Sequence, residues 1–200
     1  MRRVLVFVVA VLVPGLATAA IKGGNDLGDR GVISPFGSAS LSYSKNDDAS
    51  GQSGASLTSA ILSPGVLYFV IDDLAVGGNV VLATRKPSAG DATTSIGIGP
   101  EVAYHLRFND TWSLFPSLGL DLTRESLPGG SLPGISASTT LVTFAMSLYV
   151  PVLLRTGHFY MGFGPFLSRD LYAHGTSAGS GFGVVKNTSV GLSTTLGGWL

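Results

Sequence analysis

From Thr94 to Phe108 the chain changes character at every step. Ile96, Ile98, Pro100, Val102, Tyr104 and Leu106 share one parity, while Ser95, Gly97, Gly99, Glu101, Ala103 and His105 share the other. Successive side chains of a β-strand point to opposite faces, so a two-residue period describes a strand with one apolar and one small or polar face. Trp112 to Thr123 repeats the pattern, with Trp112, Leu114, Leu118, Leu120 and Leu122 opposite Ser113, Phe115, Ser117, Gly119 and Asp121. Thr139 to Leu154 repeats it again, and weaker copies run through Gly37–Ser44, Leu62–Val70, Leu74–Leu82, His158–Ser168 and Lys186–Leu200. That makes eight strands. Glycine, 28 of 200 residues, argues independently against helices, whose interiors it destabilises by about 1 kcal/mol per residue.

The connections alternate in length. Asp72-Asp73, Asn109-Asp110-Thr111 and Arg155-Thr156-Gly157 are tight turns of the residue types that turns demand. Lys45–Gly54, Lys86–Ala92, Arg124–Ser136 and Leu171–Val185 are longer and rich in Gly, Ser, Asp and Pro. Hairpins joined this way give an up-and-down antiparallel sheet without crossover helices.

At the N-terminus, Met1-Arg2-Arg3, the apolar run Val4–Val13, Pro14-Gly15 and Ala17-Thr18-Ala19 together read as an export signal with cleavage after Ala19 or Ala20. The expected organisation is a signal peptide over 1–20, a short periplasmic stub over 21–35 and a β-barrel over 36–200. No later segment is long and apolar enough for a spanning helix, which needs roughly 20 residues. An exported chain of this kind is either soluble or a transmembrane β-barrel.

Charge decides between them. Lys plus Arg is 12 and Asp plus Glu is 12, so there is no basic excess for a nucleic-acid partner. Charged residues make 12% of the chain, against roughly 25% in an average soluble domain. Beyond the stub, the strand bodies are expected to contain only Glu101 and Asp121, both on the Gly/Ser parity. A basic residue facing lipid at mid-depth costs roughly 2–4 kcal/mol. The apolar parity therefore reads as the lipid face and the Gly/Ser parity as a narrow lumen. Aromatics gather near the short-turn ends, and Tyr68, Tyr104, Trp112, Phe159 and Trp199 are expected to form a periplasmic girdle. The expected fold is an eight-stranded antiparallel up-and-down transmembrane β-barrel of a bacterial outer membrane, monomeric, with long loops outside and short turns in the periplasm.

The stretch Ser63–Lys86, with Pro64-Gly65, Tyr68-Phe69, Asp72-Asp73, Leu74-Ala75 and Gly77, resembles a family of small bacterial porin-like outer-membrane β-barrel proteins. IGIGPEVAYHLRF (Ile96–Phe108) and GFGPFLSRDL (Gly162–Leu171) are similar to later strands of that family, and the resemblance spans roughly Phe36–Leu200. It implies outer-membrane lipid as the surroundings and the barrel-assembly machinery as a partner during insertion. Family members commonly end in Phe or Trp, the signal that machinery reads; here Trp199 is penultimate.

Glu101 and Asp121 differ in depth along their strands, which argues against a catalytic dyad. With Arg85, Arg124 or His105 they are expected to form a structural polar network in the lumen. His174 in the last long connection, near Ser168, Asp170, Ser177 and Ser180, offers an alternative: a hydrolase acting on lipid or peptide at the extracellular rim. No fixed nucleophile spacing accompanies it. The chain has no cysteine, and its three histidines are scattered, so no metal or cofactor is expected. The favoured reading is a non-enzymatic barrel with a structural, surface-contact or minor permeation role.

Overall fold

A computed structural model describes residues 26–47, 53–87, 91–127, 138–177, 180–184 and 186–200. The expected signal peptide lies outside these residues. What they form is an all-β antiparallel sheet whose hydrogen bonds close into a ring of eight staves.

The staves are β1 (Ile33–Asp47), β2 (Ser53–Ile71), β3 (Leu74–Pro87), β4 with β5 (Thr93–Tyr104, Leu106–Arg107), β6 with β7 (Trp112–Leu114, Ser117–Leu127), β8 with β9 (Thr139–Tyr149, Val152–Thr156), β10 (Phe159–Ser177), and β11 with β12 (Ser180–Gly183, Thr188–Gly198). Each pairs with the next in the chain, and β12 returns to β1. That last seam is the shortest. It pairs Phe36 with Gly197 and Gly37 with Leu196, extended by reciprocal backbone bonds between Ile33 and Leu200.

Two of the four breaks within staves fall at prolines. Phe115–Pro116 separates β6 from β7, and Val150–Pro151 separates β8 from β9. Proline has no N–H to give a ladder, but its carbonyl still accepts. Accordingly Tyr104 N donates to Pro116 O (2.9 Å), Phe115 N to Pro151 O (2.9 Å), and Val150 N to Pro165 O (3.0 Å). The ring survives its own interruptions. Gly164 sits against the second break, where a Cβ would meet the Pro151 Cα at 2.5 Å, so this site tolerates no larger residue.

The strands outrun the sequence reading at the long-loop end. β10 continues to Ser177 and pairs with β11, inside the stretch expected as loop from Leu171 to Val185. β3 and β7 likewise run on to Pro87 and Leu127. These extensions carry mostly polar side chains, so no hydrophobic period marks them, but backbone pairing needs none. One tight turn also moves. The turn is Gly157-His158, with Gly157 at φ 56°, and Arg155 belongs to β9 rather than to the connection. Arg124, Glu125, Arg155, Arg169 and Asp170 therefore join Glu101 and Asp121 inside strands, a correction to the expectation of two strand-body charges.

The ring wears its apolar parity outside. Along β4, Ile98 is 63% exposed and Ser95 only 5%. Val102, Leu118 and Leu148, paired across β4, β7 and β8, are all exposed.

The interior divides into two tiers. At the long-loop half it is lined by small residues such as Gly97, Gly99, Ala83 and Ala145. At the short-turn half it is a packed core of Leu67, Phe69, Phe115, Leu153, Tyr160 and Trp199, closed by Leu27 and Val32 from the segment before β1. The described part of the stub before β1, from Asp26 to Val32, is thus folded into the mouth of the ring, while Ile33 to Pro35 belong to β1.

Candidate functional site

The aromatics expected as one girdle separate by parity. Tyr68, Tyr104, Trp112 and Phe159 are exposed on the outer surface near the short turns. Trp199 is not: it is 5% exposed and stacks inside against Tyr160, with ring centroids 6.5 Å apart. It continues the inward parity of Thr195 just past β12, where the chain meets His158 at the mouth, its backbone N–H donating to the His158 carbonyl (3.0 Å).

Of the residues expected as a lumen network, Arg124 stands instead on the outer face, on the exposed parity of Leu122, and the other four lie at three separate levels. Arg85 pairs with Glu125 at 3.1 Å near the long-loop end. His105 lies at the short-turn mouth, its Nδ1 3.4 Å from the Asp73 carboxylate. Glu101 and Asp121 share the middle tier and are closer than their strand depths suggested. Glu101 pairs with Gly119, which places Asp121 one two-residue step away on the same inner face. Asp121 accepts a hydrogen bond from Ser147 Oγ (2.9 Å). Glu101 faces a cavity of about 30 Å³ with Ser117, Tyr149, Tyr160 and Thr195, room for one or two waters. No cation reaches it among the described residues.

The densest charge cluster is at the mouth, and sequence reasoning missed it. Asp26 takes Arg107 Nη1 at 2.9 Å on one oxygen and Arg155 Nη1 at 3.2 Å on the other. Arg107 also donates to the Leu27 carbonyl (3.1 Å) and lies 3.7 Å from Asp29. Arg155, buried inside the ring, donates through Nη2 to the Asn109 carbonyl. Backbone bonds complete the attachment: Asp73 N to Gly28 O (2.7 Å), Gly31 N to Phe69 O (2.8 Å) and Phe69 N to Val32 O (3.0 Å). Gly28, at φ 104°, presses against His105 and Asp73, leaving no space for a Cβ. Asp26 and its partners are more than 80 residues apart in sequence. Only ring closure brings them together.

His105 lies in the gap between β4 and β5, at the mouth and level with the Asp72-Asp73 turn, its backbone N–H donating to the Asp73 carbonyl (2.7 Å). Burial, and then the Arg155 guanidinium, push its pKa down to about 4; Arg107 acts the same way, and the Asp73 carboxylate opposes them. The unfolded chain, with an ordinary histidine value of about 6.5, takes a proton first as pH falls. The stability held by neutral His105 is therefore full above about pH 6.5 and is lost between there and about pH 4. Denaturation midpoints at pH 7 and pH 5 should differ, and His105→Asn should shrink that difference. An equal drop in the variant would assign the effect to other groups.

His174 lies on β10, its ring stacked 6.2 Å from that of Tyr172. Asp170 accepts instead from Asn187 N (2.9 Å), and Ser177 Oγ donates to the Ser138 carbonyl (3.5 Å). Among the described residues no acid or hydroxyl hydrogen-bonds His174. No group of three His, Asp or Glu side chains is set to hold a metal among them either.

No protein-family model matches the chain, and the search of curated proteins gives no match. The architecture is an eight-stave antiparallel ring, and no family is identified for it.

Proposed function

We propose that the ring is a transmembrane β-barrel of a bacterial outer membrane, with a structural or surface-contact role rather than an enzymatic one. One observation carries this reading: the apolar parity of the strands is the exposed one, whereas a soluble ring turns that parity inward. The spacing of outward residues supports it. Phe159 stands at the short-turn end of β10 and Arg169 ten residues later, with Met161, Phe163 and Leu167 exposed between them. Ten residues tilted about 45° rise roughly 23 Å, close to the apolar band of about 25 Å on such barrels. The packed lower tier and the small cavity above it argue for little or no conduction.

The two tryptophans test the reading. Trp112 is 46% exposed on the outer surface, and Trp199 is buried. In vesicles carrying brominated lipids, Trp112 fluorescence of a Trp199→Phe variant should be strongly quenched. Trp199 in a Trp112→Phe variant should be quenched little. Quenching of neither, with the folded chain left in the aqueous phase, would overturn the membrane reading.

A further inference from the structure

We propose that the outer surface of β7, β8 and β10 at the long-loop end holds an anionic lipid, its headgroup between Arg124 and Arg169 and its chains along Leu122, Phe144 and Met146. This rests on the membrane reading and specifies what the surface would bind there.

The strand register builds the patch. Arg124 pairs with Val142, which pairs with His174; Leu122 pairs with Phe144, which pairs with Tyr172; Leu120 pairs with Met146, which pairs with Arg169. A register shift between Asp170 and Tyr172 lets both Arg169 and Tyr172 take part on the outer face. Arg124 and Arg169 are exposed and stand at opposite corners of the same apolar surface. Two strand spacings and four residues separate their Cα atoms, roughly 16 Å, within the combined reach of two extended arginine side chains.

Charge explains why this surface needs a partner from outside the protein. Among the described residues neither Arg124 nor Arg169 has an ion-pair or hydrogen-bond partner, whereas Arg85, Arg107 and Arg155 all do. A guanidinium at the edge of an apolar belt lays its stem along the hydrocarbon and sends its head to the interface. There the available acceptor is a lipid headgroup, and a phosphate oxygen pair matches the planar guanidinium fork. Tyr172, exposed and stacked on His174, sits between the two arginines as an amphipathic aromatic at headgroup depth. At the opposite rim the turns present Asp72 and Asp110.

The test uses the full mature-length chain in bilayers of phosphatidylcholine containing a minor share of phosphatidylglycerol, with co-retained lipid measured by native mass spectrometry after gentle extraction. The chain should keep phosphatidylglycerol well above its share. Arg124→Gln/Arg169→Gln should lower that enrichment about tenfold, while Arg30→Gln, exposed at the short-turn mouth far from the patch, should keep it. Enrichment that is absent, survives the double substitution, or falls equally with Arg30→Gln would overturn the proposal. Heat-modifiable gel mobility in pure phosphatidylcholine separates the two layers of argument. A chain that inserts there but shows no anionic preference refutes the lipid site alone; one that does not insert refutes the membrane reading and the site with it.

Discussion

Leu118→Arg is expected to prevent insertion into a bilayer, while the neighbouring Ser117→Asn is expected to leave insertion intact. Leu118 is 47% exposed and lies six residues from Trp112 and six from Arg124, at the middle of the outer belt. Its pairing neighbours Val102 and Leu148 are exposed beside it. In water, a surface leucine replaced by arginine changes stability by about 0.5 kcal/mol or less. At the midplane of a bilayer the same change costs roughly 2–4 kcal/mol. The two surroundings thus predict different results from one substitution. Ser117 is 7% exposed and faces the small cavity beside Glu101, where an amide finds hydroxyl partners. Folding into vesicles, followed by the shift in gel mobility between boiled and unboiled samples, reads both variants. A Leu118→Arg chain that folds and inserts like the parent would mean that the apolar parity does not face lipid.

Phe69→Ala should be the most destabilising single substitution in the ring, by about 3–5 kcal/mol, the range for a buried aromatic deleted from a packed core. Phe69 is wholly buried, its ring 6.3 Å from that of Phe115 and 6.5 Å from that of His105. Its backbone also holds the stub, through Gly31 and Val32. Tyr68, the preceding residue, is exposed on the outer face, so Tyr68→Ala should cost far less. Urea titration of the chain in detergent compares them directly. Equal losses would show that the lower tier is not a core.

These two substitutions mark where the sequence was readable. Parity along Leu62–Val70 already placed Tyr68 and Phe69 on different faces, because a strand admits only two. It could not say that the inner face changes from Gly, Ser and Ala to Phe, Tyr and Trp toward the short turns. That change follows from what else enters the ring: Leu27 and Val32 supply a lid, and large side chains can pack beneath one. Trp199 was grouped with the outer aromatics for the same reason. Along Lys186–Leu200 it stands on the parity opposite Val190 and Leu192, and that parity turns inward here.

Charge pairing was the least legible property. Arg155 next to Thr156-Gly157 has the composition of a turn, yet it is drawn inside by Asp26, 129 residues away. Arg85 was expected to serve Asp121 or Glu101 and instead meets Glu125, 40 residues away. Each partnership depends on register and on closure, which local spacing does not encode. Glu101 and Asp121 show the same limit on a smaller scale, since their separation depends on how β4 and β7 are offset.

By itself, then, the chain determined its alternation, its eight staves and two of its three short turns, because side-chain direction in a strand and the demands of tight turns are local properties. Tertiary structure decided which aromatics form the core, where the N-terminal segment lodges, which charges are neutralised and which two arginines are left facing outward. Those outcomes depend on strand offset and ring closure, and both are set only when residues far apart in sequence compete for the same interior space.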